Sequence, residues 1–468
     1  MKFINPMQTI DNSRVHSFHI ALVAWLFFII MSDGYDVVIY GAVVPALIEE
    51  WGMSDVLAGA IGSYTIAGTV IGAITFGLLA DKIGRKKVII ICIVFFSFFT
   101  FLSGFASGVG MFTICRIIAG LGLGGVMPNV MALMTEFAPK YKRTALVAYV
   151  FAGYSVGGII AALTSRALLP IVGWQPVFWL AAIPLLMLPF IIKNIPESVA
   201  YLIEKGELAK AKQILGKVDP SIPLLAQLEP PRSTNSAVGL PIVKMFEEKR
   251  ALSTFMFWIA SFCSLLLVFS LTTWLPRLLM QAGYDLSSSL LFTAVMQVGA
   301  IAGTILLGRL MDKVGAKKVL VPLFLSGALA LGLIGFSKST VIVFGLIAVI
   351  GAASIGVQNL SSTFVSQYYP TGIRASALGS TMAIGRIGGI LAPILIGILL
   401  TLNLHPQFNF GAIGIASLVG GIALAFVQEQ HAAYKKLEED EEENPKRVRV
   451  EKVEEDYLEP VQMKTEIK

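Results

Sequence analysis

Long apolar runs, separated by short polar segments, recur along the whole chain. Twelve of them reach the roughly 20 residues that an α-helix needs to cross a hydrocarbon core about 30 Å thick. The pattern therefore predicts an all-α membrane protein with twelve transmembrane helices. The predicted spans are 18–46, 56–80, 88–107, 110–135, 145–170, 174–193, 252–280, 287–310, 318–337, 340–366, 375–401 and 408–428.

The composition agrees with a polytopic membrane protein. Of the 468 residues, 56% are hydrophobic and only 14% are charged, whereas about a quarter of the residues in a soluble domain carry charge. Residues 1–15 are polar and the first apolar run is too long for a signal peptide, so we expect the first helix to be retained. Cys92, Cys115 and Cys263 fall within spans and predict neither a disulfide nor a metal site.

Positive charges are concentrated in alternate connections between the spans. By the positive-inside rule, these connections and both termini are expected in the cytoplasm, which places the protein in the inner (plasma) membrane. The net charge of +6 then reflects topology and not nucleic-acid binding. The short basic loops contain Lys82, Arg85, Lys86, Lys87, Lys140, Lys142, Arg143, Lys313, Lys317 and Lys318.

The second half of the chain repeats the first at a constant offset of 231 residues, the separation of Gly77 and Gly308. Because this register holds through six spans, we expect two parallel six-helix halves, as in transporters with a midplane site between their repeats. The offset also matches Asp81 with Asp312 and Arg143 with Arg374. The expected parts are an N-terminus (1–15), a first half (16–193), a linker (194–250), a second half (251–428) and a charged tail (429–468).

Charges without a counterpart in the other half are candidates for chemistry. Asp33 and Asp36 lie one helical turn apart in the first span, and a carboxylate at mid-bilayer costs roughly 2.5–3.5 kcal/mol on insertion scales. Such a pair needs a watery or protein-lined interior and suggests a proton pathway. Arg386 in span eleven needs an anion, and its planar guanidinium suits a carboxylate. The offset matches Asp33 with Ser264, Asp36 with Leu267 and Arg386 with Ser155.

Polar side chains at mid-span are further candidates to line a substrate cavity, because an unpaired amide in lipid is destabilising. They are Asn129, Gln297, Gln358 and Asn359.

The loop from Gly77 to Lys87 resembles the signature between helices two and three of the major facilitator superfamily. The run from Arg116 to Gly125 is similar to the fourth-helix motif of that superfamily, in which the arginine faces the central cavity or the proton path. Alternatively, Arg116 extends to a lipid headgroup. The resemblance covers 16–428 and implies the major facilitator fold. It also implies conformational gating by Gly77, Asp81, Gly84, Arg85, Glu136, Asp312 and Arg374.

The run from Asp33 to Asp36 resembles the Asp-Gly-x-Asp motif of the aromatic acid:proton symporter family, with supporting matches at 369–374 and 385–389. This resemblance implies uptake of benzoate-like acids, with both aspartates, Arg374 and Arg386 important. The stretch 37–41 looks closer to benzoate-type members, which makes Tyr40 a further candidate to contact the substrate.

We therefore predict proton-coupled uptake of a small aromatic carboxylate, such as benzoate or a hydroxybenzoate. The alternatives are a transporter of another organic anion, such as nicotinate or muconate, or a sugar or drug transporter of the same fold. Span five lacks the Gly-Pro pair of drug antiporters, and the run from Pro196 to Ser198 matches a sugar-porter motif only in part. No nucleophile with a base and no metal-spaced histidine cluster is evident, so we expect a non-enzyme without cofactor or metal. We also expect a monomer. Its expected partners are substrate, protons and the lipid bilayer.

Overall fold

The computed structural model describes residues 3–218, 227–228, 241–336 and 339–435. These residues contain twelve helices long and apolar enough to cross a membrane, which we number α1 to α12. The first six are α1 Ser17–Trp51, α2 Asp55–Ile83, α3 Arg85–Ser103, α4 Val109–Phe137, α5 Arg143–Val172 and α6 Gln175–Asn194. The second six are α7 Ala251–Gln281, α8 Leu286–Val314, α9 Ala316–Ile334, α10 Thr340–Tyr368, α11 Thr371–Thr401 and α12 Pro406–Ala425.

Shorter elements lie outside the spans. They are the helices Pro6–Asn12, Val199–Glu204, Leu208–Val218 and Pro241–Lys244, the 3₁₀ turns Lys140–Lys142 and Glu429–His431, and two paired parallel strands, β1 Phe3–Ile4 and β2 Gln227–Leu228. Most of the predicted charged tail, 436–468, lies outside the described residues, as do 219–226 and 229–240 of the predicted linker.

The internal repeat is visible in the helix bounds, which confirms the predicted fold of two six-helix halves. Helices α2, α3, α4 and α6 begin and end 231 residues before α8, α9, α10 and α12. The glycines that end α2 and α8 also match: Gly84 has φ 99° and Gly315 has φ 95°. Glycine adopts this region without the steric penalty of a Cβ, so each can turn the chain sharply into the next helix.

The two halves meet through α1 with α7, α2 with α11, and α5 with α8. Glycines permit the closest approaches, because a Cβ at Gly41 would overlap the backbone of Thr272 and one at Gly59 would overlap that of Pro393. These contacts lie toward the end of the bundle where α1 ends and α2 begins, which we call the far side. The opposite end, which carries the N-terminal helix Pro6–Asn12 and the connection between the halves, is the linker side.

On the linker side the halves are apart. A Cβ at Gly77 or Gly372 would meet no atom within 4 Å. Asn359 and Met382, which line the space between the halves, are exposed. The space between the halves is therefore closed on the far side and open on the linker side.

One ion pair bridges the halves on the far side and yields a prediction. Arg277 Nε lies 3.4 Å from Asp55 Oδ1, and the two side chains are 28% and 15% exposed. Even a solvent-exposed pair contributes about 0.2–1 kcal/mol. Asp55→Asn should therefore raise the fraction of molecules open to the far side by up to about fivefold. The measurement is the labelling rate of Thr273→Cys by a membrane-impermeant thiol reagent applied from the far side. The native Cys92, Cys115 and Cys263 are buried.

The matched control for this experiment exchanges the two charges. The double variant Asp55→Arg with Arg277→Asp keeps an ion pair across the halves and should label at the parent rate. A labelling rate that does not change in Asp55→Asn would show that the pair does not hold the far side closed.

Candidate functional site

A central cavity of about 260 Å³ lies between the two halves. Its walls come from α1, α2, α4 and α5 of the first half and from α7, α10 and α11 of the second. The lining is mostly apolar and aromatic, as in many small-molecule sites. Among the described residues, the charged side chains that reach it are Asp33, Arg116 and Arg386.

Asp36 is held by two partners beside this cavity. Arg116 Nη1 donates to Asp36 Oδ1 at 2.6 Å, and the hydroxyl of Thr100 donates to Asp36 Oδ2. The side chains of Arg116 and Asp36 are 2% and 1% exposed. The guanidinium also faces the ring of Tyr40, 5.8 Å from its centroid. Each charge of the pair is thus compensated within a largely apolar interior.

The second half places apolar side chains where this cluster would be. Asp36, Thr100 and Arg116 correspond to Leu267, Leu331 and Ile347. All three of these counterparts are fully buried in a hydrophobic cluster. The helical scaffold can therefore be built without the charges, which points to a role for the Asp36–Arg116 pair beyond packing.

Asp33 has no comparable compensation. It lines the cavity, is 2% exposed, and its Oδ2 has no hydrogen-bond partner in the part of the chain that the structure describes. Asp36 and Arg386 both interact with it electrostatically. A buried carboxylate without a direct partner is destabilising when ionised, so Asp33 is suited to bind a proton that arrives through the cavity.

Arg386 connects the two halves at the cavity. It lies on α11, and its Nη1 donates to Thr69 Oγ1 on α2 at 3.0 Å. Among the described residues it forms no ion pair with a carboxylate. It interacts electrostatically with Asp33 and Tyr154. A guanidinium without a carboxylate partner can accept a ligand carboxylate through two parallel hydrogen bonds.

The other predicted substrate contacts fall into two groups. Asn129 and Gln297 are buried outside the cavity lining: Asn129 donates to the carbonyl of Gly125 at 2.8 Å, and Gln297 packs against Gly158 where α5 meets α8. The residues that do line the cavity are Tyr40, Arg116, Gln358 and Asn359.

The predicted gating residues lie on the linker side. Arg85 Nη1 donates to Glu136 Oε2 at 2.7 Å, and Glu136 Oε1 accepts from Ser198 Oγ at 2.9 Å and Ala200 N at 3.0 Å. This cluster joins α3 and α4 to the helix Val199–Glu204. Its counterparts in the second half, Ala316 and Gln367, cannot form an ion pair. The remaining gating candidates are Gly77, which faces open space, Gly84, which packs against Glu197, and the exposed Asp81, Asp312 and Arg374.

Among the polar residues that sequence reasoning missed at this site are Thr69, Thr100 and Tyr154. The first and last line the cavity, and Thr100 holds Asp36. A usable signal exists, because the constant offset matches them with Ala300, Leu331 and Gly385. The comparison of halves that singles out Arg386 would also have found these residues.

Known proteins similar to this chain are membrane transporters. Residues 26–393 and 289–458 match the family model described as Major Facilitator Superfamily. The chain is 40% identical to a benzoate transport protein of Acinetobacter baylyi, over 91% of this chain and 93% of that protein. It is 32% identical to a gentisate transporter of Corynebacterium glutamicum, over 92% of this chain and 93% of that protein.

A solved structure agrees at the level of the fold. The chain resembles a partially occluded inward-open conformation of the xylose transporter XylE from E. coli, with a TM-score of 0.68 and 18% identity. The match covers 88% of this chain and 98% of that one. At this identity, the likeness concerns the fold and not the substrate.

Proposed function

The chain belongs to the major facilitator superfamily, and on that premise we propose that it takes up a small aromatic carboxylate together with protons. Benzoate or a hydroxybenzoate is the proposed substrate. The observation that carries the proposal is Arg386, which reaches a mostly apolar cavity without a carboxylate partner among the described residues.

Charge and shape together support an aromatic acid. The fork of a guanidinium binds a carboxylate bidentately, while apolar walls that include Phe269 and Val268 suit a ring. A cavity of about 150 Å³ accommodates benzene, so about 260 Å³ leaves room for one ring and its carboxylate. The relatives named for benzoate and gentisate transport both act on acids of this class by name.

The two aspartates take different roles in this proposal. Asp36 is bound to Arg116 and Thr100, so it anchors Arg116 at the cavity wall. Asp33 carries the proton. When Asp33 is ionised, its negative charge attracts the guanidinium of Arg386; when it is protonated, Arg386 is free to bind the substrate carboxylate. Substrate and proton therefore bind together without direct contact.

Membrane orientation follows from the basic loops. The linker side contains Lys82, Lys86 and Lys87, whereas the far-side end of α1 contains Glu49 and Glu50. We assign the linker side and both termini to the cytoplasm and the protein to the inner membrane. The cavity, which is open on the linker side, then represents the state that releases substrate into the cell.

The carboxylate clamp at Arg386 can be tested by binding. Arg386→Lys keeps the charge but loses the fork, and should weaken benzoate binding by roughly 1.5–3 kcal/mol, the range for a hydrogen bond to a charged group. Benzamide, which has the ring without the charge, should compete poorly with benzoate in the parent. The measurement is equilibrium binding to purified protein, with nicotinate and muconate in the same panel.

A matched control is Arg309→Lys, which changes an exposed arginine on α8 and should leave benzoate affinity unaltered. Normal benzoate binding by Arg386→Lys, or equal affinity of the parent for benzamide and benzoate, would reject the clamp.

A further inference from the structure

A second, smaller pocket adjoins the central cavity between α7, α10 and α11. Its volume is about 10 Å³, the space for one water-sized group. Gln358, Ser362 and Met382 line both spaces, so the small pocket is a side pocket of the central cavity.

Two oxygens at the side pocket lack partners. Gln358 Oε1 and Ser361 Oγ are buried, and neither has a hydrogen-bond partner within the described residues. A buried polar atom is normally paired with protein or ordered water, and leaving it unpaired is destabilising. The side pocket therefore suits a ligand group that can form hydrogen bonds with these two oxygens.

The polarity of the side pocket belongs to the second half alone. The offset matches the five polar side chains of its lining with apolar residues of the first half, and Ile30, Val130 and Val150 among these are fully buried in a hydrophobic cluster. The repeated helical scaffold therefore does not itself require these polar side chains. The matched pairs are Ser261 with Ile30, Gln358 with Met127, Ser361 with Val130, Ser362 with Met131, and Thr381 with Val150.

The backbone of α10 also departs from symmetry at this point. A π-helical turn, Ala352–Gly356, comes just before Gln358, whereas α4 is a regular α-helix over Val109–Phe137. π turns are rare in proteins and are frequent at functional sites.

The lining defines the chemistry of the occupant. No charged side chain lines the side pocket among the described residues, so the pocket suits neither a carboxylate nor an ammonium group. A hydroxyl fits both the size and the partners, because it can donate to Gln358 Oε1 and accept from the hydroxyl of Ser361.

We infer that the side pocket binds a ring hydroxyl, so that the preferred substrate is a hydroxylated aromatic carboxylate whose carboxylate lies at Arg386. This inference rests on the proposed function and narrows it. An unsubstituted ring leaves Gln358 and Ser361 without that partner. A site built to bind a hydroxyl discriminates strongly against an analogue that lacks one.

The test compares the affinities of benzoate and of 2-, 3- and 4-hydroxybenzoate for purified protein by calorimetry. The parent should bind at least one hydroxylated isomer about tenfold or more tighter than benzoate. Ser361→Val, which introduces the residue of the first half, should reduce that preference to about twofold without changing benzoate affinity, since Ser361 does not line the central cavity. Gln358→Met should reduce the same preference. The control is Ser366→Ala on the same helix, a residue that lines neither space; it should preserve the preference.

Three results would overturn the inference. The parent could bind benzoate and all three isomers with equal affinity, the preference for a hydroxylated acid could survive both substitutions, or the substitutions could reduce the affinity for every acid equally. If either variant fails to fold, Ser361→Ala, which removes only the hydroxyl oxygen, is measured in its place. Absence of binding by all four acids would instead overturn the proposed function, and this inference with it.

Discussion

Asp36→Leu, with Arg116 left in place, is expected to destabilise the protein by about 3–5 kcal/mol, the range for removing one partner of a buried ion pair. The loss arises because Arg116 would keep its charge in an interior where its side chain is 2% exposed. Replacing the whole cluster by its second-half counterparts should reverse the effect. The triple variant Asp36→Leu, Thr100→Leu and Arg116→Ile should recover most of the stability, because hydrophobic replacement of a buried pair is often neutral or stabilising.

The readouts for this pair of variants are the thermal unfolding midpoint in detergent and the uptake of labelled substrate. The single variant should unfold at a lower temperature, the triple variant near the parent temperature, and neither should transport. A stable single variant, or a triple variant as unstable as the single one, would show that the cluster is not a compensated pair. Transport by the triple variant would remove the pair from the mechanism.

Asp33→Asn should abolish substrate accumulation driven by an inward pH gradient while leaving exchange of labelled for unlabelled substrate near the parent rate. Asparagine resembles a protonated carboxyl in size but cannot release a proton. The loaded transporter can therefore still reorient, whereas the step that returns the proton is lost. The measurement is accumulation and exchange in the same proteoliposomes.

Glu49→Gln is the matched control, since it neutralises an exposed carboxylate at the end of the same helix and should accumulate substrate like the parent. Accumulation by Asp33→Asn at the parent level would exclude Asp33 as the proton carrier. Loss of both exchange and accumulation would assign Asp33 to substrate binding instead.

The fold could be predicted largely from hydrophobic run lengths, because a spanning helix must cover a membrane with apolar residues. The bounds were less predictable. The first span was predicted as 18–46 from its apolar run, but α1 continues to Trp51 through Glu49 and Glu50. Polar residues can extend a helix beyond the hydrocarbon core, and α1 ends at Gly52, which adopts a left-handed conformation.

The candidate site could be predicted only in part. Comparison of the halves singles out Asp33, Asp36 and Arg386, yet it cannot tell that Asp36 is paired and Asp33 is not. That difference depends on α1, α3 and α4 converging, which brings Thr100 and Arg116 to Asp36. A contact among three helices cannot be predicted from a local sequence pattern.

Mid-span amides show the same limit. An asparagine in an apolar run must be buried or paired, but the run does not tell which surface it faces. The amide of Asn129 donates to the carbonyl of Gly125 in its own helix and needs no cavity. Gln358 has a similar sequence context but lines the cavity, just after the π-helical turn.

Uptake of labelled benzoate and hydroxybenzoates into proteoliposomes under an imposed pH gradient tests the central claim most directly. We expect accumulation when the exterior is acidic. If Asp33 is the single proton carrier, a monoanion and one proton move without net charge, so a membrane potential imposed alone should drive no accumulation. With a second proton, the membrane potential would add about 2.3 kcal/mol per 100 mV to the driving force. Equal uptake with and without the pH gradient, or uptake of none of these acids, would contradict proton-coupled transport of an aromatic carboxylate.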